Sequence, residues 1–288
     1  MPENAQTRAL AIPEIVSSIL QQMDMRTLIT AQKISRTWKD LICNTQSLQE
    51  TLFFRPISHD YDISARVNNP LLAEAFPSVF PLQDRDNAEE QWISLTDLTW
   101  EKNAAVRKMF IRPEASWRRM LTHQPPLYRV GGFESNCTPF GWNWSQKRAT
   151  VPEDGLRMAP LFEYLMDRLW EDWAYAESIE IFFPASFPAG FLESKTFQRL
   201  DGADSACKEM MGQFDLVLDT SSSTTCTAED DYEEAQEEME KEAKEKGVKL
   251  PDTDVTIWKR ICECYREFGL EMKGFQMEEY NEGSGAWD

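Results

Sequence analysis

Residues 12–54 carry an apolar pattern that fits a bundle of short helices. Pro13 suits the first turn of a helix, where its missing N–H costs nothing, and Glu14 lies at the positive end of the helix dipole. At about 100° per residue, the apolar positions of this segment fall within an arc of roughly 140°. These positions are Ile12, Ile15, Val16, Ile19, Leu20 and Met23. The sequence therefore predicts an amphipathic first helix.

Two further short helices and an apolar stretch up to Phe54 are predicted after it. Asp24 can cap the second helix by accepting hydrogen bonds from its free amides. A bundle of about 45 residues is near the lower limit for independent folding, and it cannot bury all of these apolar side chains by itself. The remaining apolar surface must pack either on the rest of this chain or on another chain, and the helical pattern leaves both possibilities open.

The order and spacing of these residues resemble an F-box. The pattern of that family opens with Leu-Pro, has an isoleucine-leucine pair and a later leucine, and ends in Val-Cys-x-x-Trp. Here Ile12 replaces the first leucine and Ile34-Ser35 stands for Val-Cys. The resemblance implies docking to a Skp-type adaptor, and through it to a cullin, by Ile12, Pro13, Ile15, Leu20, Leu28, Ile34 and Trp38. Ile19 and Leu41 are assigned to the core of the bundle instead.

Segments 52–56 and 112–126 also look like segments of filamentous-fungal F-box proteins. The C-terminal regions of such proteins serve mostly as recruiters. The resemblance therefore implies a non-enzymatic substrate receptor of an SCF complex, which presents an unknown protein client to a ubiquitin ligase for ubiquitin-dependent degradation.

The remainder of the chain predicts an α+β fold, in which the three-helix F-box module precedes a mixed α+β domain with a small sheet. Strand patterns at 127–133, 178–183 and 214–218 and a helix at 158–173 carry this prediction. A last helix is predicted with Asp252 or Asp254 as its cap and Gly269 as its end. The expected divisions are an F-box module at 1–56, a linker at 57–69, a central domain at 70–226, an acidic helix or linker at 227–250, and a C-terminal helix and tail at 251–288.

The net charge of −19 argues against nucleic acid as a partner, because binding to phosphates requires cations. The third predicted helix offers only Arg36 and Lys39, which also disfavours a helix-turn-helix reader. Acidic residues are concentrated at 229–246, where a solvated helix or linker is expected. An acidic interaction scaffold that acts outside any ubiquitin ligase is the alternative function.

No motif predicts an enzyme, a cofactor or a metal site. The two histidines are His59, in the predicted linker, and His123, expected in a turn or at the surface. Cys262 and Cys264 would point about 200° apart on a helix, which does not suit a metal site. No apolar run reaches the roughly 18 residues of a membrane span. The scattered cysteines and the absence of a secretory pattern predict an intracellular protein, cytoplasmic or nuclear.

Two features could bind a client. Trp142 and Trp144 lie in a segment that reads as a loop and could expose a ring. Five cations are clustered in an otherwise acidic chain, and they either pair with acids of this chain or form a patch for an acidic or phosphorylated segment. These cations are Arg107, Lys108, Arg112, Arg118 and Arg119.

Overall fold

The described part of the N-terminal module contains four short helices. The computed structural model describes residues 10, 12–57, 66–80, 93–138, 140–175, 178–186, 203–223 and 252–286. The four helices are α1 (Pro13–Leu20), α2 (Met25–Ala31), α3 (Arg36–Asn44) and α4 (Gln46–Thr51). The predicted cap of α2 is confirmed, since the Asp24 side chain accepts a hydrogen bond of 3.0 Å from the amide of Thr27. Helix α4 occupies part of the stretch that the sequence identified only as apolar.

A five-stranded mixed sheet organises the rest of the chain. Its strands are β3 (Val130–Thr138), β4 (Gly141–Ala149), β5 (Ser178–Phe182), β6 (Leu216–Ser223) and β7 (Met277–Ala286). The spatial order is β5-β6-β3-β4-β7; β3 and β6 run parallel, and the other neighbours are antiparallel. A separate two-stranded ladder joins β1 (Val67–Asn68), which lies inside the predicted linker, to β2 (His123–Gln124). The predicted α+β class with a small sheet is confirmed.

Helices cover both faces of the large sheet. The described helices after α4 are α5 (Pro70–Ala75), α6 (Ala104–Ile111), α7 (Met158–Tyr175), α8 (Ala203–Gln213) and α9 (Asp254–Glu267). Phe133 of β3 packs with buried residues of α8, whereas the next residue, Glu134, pairs with Arg168 of α7. Successive strand residues point to opposite faces, so α8 and α7 lie on opposite sides of the sheet.

One hydrophobic core runs from the N-terminal helices into the main body. Val16, Leu20 and Leu28 belong to the same buried cluster as the strands and helices that follow. Its aromatic part packs rings from several elements at centroid distances of 4.3–6.2 Å. These rings are Phe76, Trp100, Phe110, Trp117 and Phe162. Residues 12–54 therefore pack on the rest of the chain as well as on each other.

Three local predictions differ from the structure. Strand β3 begins at Val130 and runs on to Thr138, beyond the end of the strand predicted at 127–133; a Cβ on Gly131 would lie 2.6 Å from Cε of Met210 in α8. The predicted loop at 140–144 is a turn followed by β4. Helix α9 is capped by Thr253 rather than by an aspartate. The contact of Gly131 with Met210 joins residues distant in sequence, which local propensity cannot foresee.

His123 is the clearest departure from expectation. It is 1% exposed, with its ring 4.6 Å from that of Phe183 and 5.8 Å from that of Phe80. Neither ring nitrogen has a hydrogen-bond partner among the residues that the structure describes. Burial, helped by the positive charge of Arg66 and opposed by the negative charge of Asp215, lowers the pKa of His123 to about 3. The imidazole is therefore a neutral core group, not a surface or turn residue.

Candidate functional site

The apolar arc of α1 is divided between the core and the surface. Val16 and Leu20 are fully buried, and both belong to the common core. On the adjoining side of the same arc, Ile12, Ile15 and Ile19 are 45%, 39% and 37% exposed. The apolar residues of α1 thus form two surfaces. The one with Val16 and Leu20 packs on the core, and no described residue of this chain covers the one with Ile12, Ile15 and Ile19.

A shallow groove runs along the exposed side of α1. It is lined by Glu14, Ile15, Ser18, Ile19 and Gln22. We use the name docking face for five exposed apolar residues of this module, Ile12, Pro13, Ile15, Ile19 and Ile34. Clusters of exposed apolar side chains rimmed by polar residues are typical of protein interfaces.

The seven residues predicted to contact an adaptor have different environments. Ile12, Pro13, Ile15 and Ile34 are exposed, and Ile34 reaches 64% between α2 and α3. Trp38 is half-buried against the core. Leu20 and Leu28 have no exposed surface and pack inside the chain.

Ile19 lies on the exposed side although the sequence assigned it to the bundle core. Its spacing of four residues from Ile15 and seven from Ile12 places all three on one helical stripe. That spacing is the feature of the sequence that could have grouped Ile19 with Ile12 and Ile15. The sequence alone could not decide which half of the apolar arc would face inward.

Three of the five clustered cations pair with acids of this chain. Arg107 contacts Glu101 with 2.8 Å between Nη1 and Oε1. Lys108 contacts Glu267 across α6 and α9, with 2.7 Å between Nζ and Oε2 and both side chains half exposed. Arg118 pairs with Glu163 in the protein interior.

Arg118 bonds to side chains of two helices of this chain and so stabilises their packing. Its Nη1 donates to the hydroxyl of Tyr265 at 3.0 Å, and its guanidinium lies 5.3 Å from the centroid of the Trp117 ring. Burial raises the pKa of Glu163, although Arg118 opposes that shift. Burial likewise raises the pKa of Tyr265. These groups lock α7 and α9 to the segment that follows α6.

Arg112 and Arg119 are exposed, as Lys108 is. Arg119 lies over the ring of Phe54, with 4.0 Å from its guanidinium carbon to the ring centroid. Neither has a salt bridge to another residue of the described chain.

Trp142 and Trp144 are half-buried on the same side of β4. Trp144 stacks on Phe133 at 5.9 Å between centroids, and a Cβ on Gly283 would lie 2.5 Å from its ring. The exposed ring of this region is Phe140, at 85%. The predicted acidic segment 229–246, His59 and the side chains of Trp170 and Trp173 lie outside the described residues.

The described residues offer little that suggests chemistry. In the ranges that the structure covers, no group of three His, Cys, Asp or Glu residues could hold a metal ion. None of the helices described here has the length and apolar character to cross a membrane. The strongest surface feature is therefore the docking face.

Comparison with known proteins bears on the N-terminal helices. Residues 12–49 match the F-box domain family. No curated protein and no solved structure matches the chain. F-box domains generally bind Skp-type adaptors, and the proteins that contain them are generally non-catalytic adaptors of ubiquitin ligases. The match spans α1, α2, α3 and most of α4, which includes every residue of the docking face. Residues 12–49 are thus an F-box domain, and this supports an F-box protein.

Proposed function

We propose that this chain is a substrate-recognition subunit of a Skp/cullin/F-box ubiquitin ligase, which binds a Skp-type adaptor through the docking face. The observation that carries the proposal is that three isoleucines of one helix stay more than a third exposed inside an F-box domain. Fully burying an isoleucine stabilises an interface by roughly 1.5–3 kcal/mol. Covering Ile12, Ile15, Ile19 and Ile34 with a partner would therefore supply a substantial part of the binding free energy.

The buried members of the predicted set have a supporting role in this proposal. Leu20 and Leu28 pack inside the chain, where they hold α1 and α2 in place and so set the shape of the docking face. Trp38 of α3 is half-buried, so one part of its side chain packs on the core and the other part is exposed. Contact with the adaptor is then made by the exposed residues, and its geometry depends on the buried ones.

The receptor acts by proximity rather than by chemistry of its own. A client bound to the main body would be held near ubiquitin that is activated elsewhere on the cullin-containing complex, which raises the effective concentration of its lysines. Among the cations first considered for the client, Arg112 and Arg119 remain the exposed ones without a salt bridge in the described chain. The resemblance of 52–56 and 112–126 to filamentous-fungal F-box proteins supports a receptor of that type. Function in the cytoplasm or nucleus follows from this proposal.

The test is a pull-down of a purified Skp-type adaptor by the full chain and by paired variants. Ile15→Asp places a charge on the docking face, and Val106→Asp on α6 is its matched control, because the two positions are 39% and 38% exposed. Ile34→Asp and Met109→Asp form a second pair, at 64% and 60%. We expect the two docking-face variants to lose the adaptor while both controls retain it.

Two outcomes would overturn the proposal. One is failure of the wild-type chain to bind the adaptor, which would favour the acidic scaffold that acts without a ligase. The other is equal loss in the docking-face variants and their controls. Circular dichroism of all five proteins shows whether a lost interaction reflects unfolding.

A further inference from the structure

The two edge strands of the five-stranded sheet, β5 and β7, differ in their backbone hydrogen bonds to other segments. At the β5 edge, the amide of buried Ile93 donates a hydrogen bond of 3.1 Å to the carbonyl of Ile179, so another segment of the chain bonds to this edge. Strand β7, at the opposite edge, is ten residues long, whereas β5 has five. Within the described ranges, the backbone of β7 bonds only to β4. Among the described residues, the backbone donors and acceptors on the outer rim of β7 therefore have no partner.

The side chains of β7 give this rim a strong negative charge. Glu278, Glu279 and Glu282 are exposed, and none forms a salt bridge with another described residue. Lys147 lies opposite Glu279 in the register with β4, but its ammonium group pairs with Glu134. The carboxylates along the rim are thus available to a cationic partner.

The strand is also held firmly in the sheet. It pairs with β4 from Met277 to Ala286, with one irregularity opposite Gln146 and Lys147. The ring of Tyr280, at this irregularity, lies 6.3 Å from that of Phe214. A partner would therefore meet a strand that is already formed, which lowers the entropy lost on binding.

We propose that the outer rim of β7 binds a basic, extended segment of a protein client as a sixth strand of the sheet. Main-chain hydrogen bonds to the rim would supply affinity, and lysine or arginine side chains facing Glu279 and Glu282 would supply specificity. The identity of the partner as a client rests on the proposed function, whereas the strand addition itself does not.

The charge pattern argues against a second copy of this chain as the occupant. An antiparallel pair of β7 strands centred between Tyr280 and Asn281 would place Glu279 of each copy opposite Glu282 of the other. Like charges that face each other across strands are destabilising. The same carboxylates that disfavour self-association favour a cationic strand.

The experiment measures binding of a fluorescein-labelled ten-residue peptide of alternating lysine and threonine to the full chain by fluorescence anisotropy. We expect saturable binding. A peptide of alternating glutamate and threonine should not bind, and the lysine peptide N-methylated at every second amide should lose most of its affinity. Equal binding of the methylated peptide would overturn the proposal, since attraction between charges needs no amide donors.

Paired charge reversals locate the site. The double variant Glu279→Lys, Glu282→Lys should weaken binding of the lysine peptide by at least about tenfold. The double variant Glu114→Lys, Glu263→Lys makes the same change in net charge at exposed positions off the sheet, and it should weaken binding much less. Equal weakening in both would mean non-specific attraction and would also overturn the proposal. Glu279→Gln with Glu282→Gln provides a second, milder variant, should the reversal disturb folding.

These results can be separated from the test of the proposed function. Ile15→Asp should leave peptide binding unchanged, and the Glu279, Glu282 reversal should leave adaptor binding unchanged. Peptide binding by a chain that fails to bind the adaptor would retain the strand addition and remove its link to a ubiquitin ligase client.

Discussion

The side-chain amide of Gln124 donates a hydrogen bond of 2.8 Å to the backbone carbonyl of Glu50 and thereby ties β2 to α4. The same amide donates to the carbonyl of Arg55 at 3.0 Å, and the amide of Leu121 donates to the carbonyl of Phe53 at 2.7 Å. Arg26 of α2 also pairs with Glu74 of α5 at the surface. The F-box domain is thus bonded directly to the main body.

Replacing Gln124 with leucine should loosen this junction. The substitution removes the side-chain donor that the carbonyls of Glu50 and Arg55 share in a part-buried place, while the carbonyl of Glu50 keeps the amide of Phe53 as a donor, so we expect a loss of about 0.5–1.5 kcal/mol in the free energy of unfolding. Urea denaturation followed by tryptophan fluorescence measures it. Gln213→Leu, at an exposed position in α8, is the control and should change stability by less than about 0.5 kcal/mol. Equal effects at the two positions would contradict the assigned role.

Leu28 and Ile34 should respond in opposite ways to truncation. Leu28 is fully buried, and Leu28→Ala should lower the free energy of unfolding by about 2–5 kcal/mol. Ile34 is 64% exposed, and Ile34→Ala should stay within about 0.5 kcal/mol of the wild type while it weakens adaptor binding. Denaturation curves and the adaptor pull-down of both variants check this. A strongly destabilised Ile34→Ala would contradict the exposure of that side chain.

His123 should make stability depend on pH. The folded protein keeps this histidine neutral because its pKa is lowered to about 3, whereas the unfolded chain binds a proton below the ordinary value of 6.5. Stability therefore falls as the pH drops from about 6.5 towards 3, with a contribution of up to about 1.4 kcal/mol per pH unit.

The variant His123→Phe removes the titrating group and places a ring beside Phe80 and Phe183. We expect it to reduce the slope of unfolding free energy against pH between pH 4.5 and 6.5, and to raise stability at pH 7. Denaturation at a series of pH values measures the slope. An unchanged slope would show that other groups cause the acid sensitivity.

Two glycines should differ sharply when changed to alanine. A Cβ on Gly274 would lie 2.6 Å from Cα and 2.7 Å from the backbone nitrogen of Tyr164, so the backbone must shift. Gly274→Ala should therefore destabilise the protein by about 1–3 kcal/mol. A Cβ on Gly212 in α8 would meet no atom within 4 Å, and Gly212→Ala should stabilise by about 0.5–1 kcal/mol. Thermal unfolding of both variants would reveal whether the signs are opposite.

The features that could be predicted from the sequence depend on neighbours along the chain. The Asp24 cap, the α7 helix and the end of α9 near Gly269, which has a φ of +63°, all follow from residues a few positions apart. The F-box resemblance follows from the same short spacings, and the family match at 12–49 agrees with it.

The features that could not be predicted depend on contacts between distant residues. Arg118 is engaged by Glu163 and Tyr265, which lie on two other helices. Asp254 does not cap its own helix, because its carboxylate accepts hydrogen bonds from the amides of Leu95 and Thr96. His123 was predicted in a turn or at the surface, but it is buried beside the rings of Phe80 and Phe183, which belong to two other segments. A single sequence does not indicate which residues that are distant along the chain will come into contact.

The topology of the sheet has a consequence for the order of events during synthesis. Strand β3 pairs with β6, so that Val130 meets Leu216, and β4 pairs with β7, so that Ala149 meets Met277. On a ribosome, β3 and β4 emerge long before either partner, and pairings between distant segments form slowly. A nascent chain must therefore carry the β3–β4 hairpin, with Trp142 and Trp144 on it, without β6 until translation has passed residue 223 and without β7 until it has passed residue 286. Chaperone dependence and loss to aggregation should be set by this interval more than by the F-box helices, whose backbone hydrogen bonds join residues close in sequence.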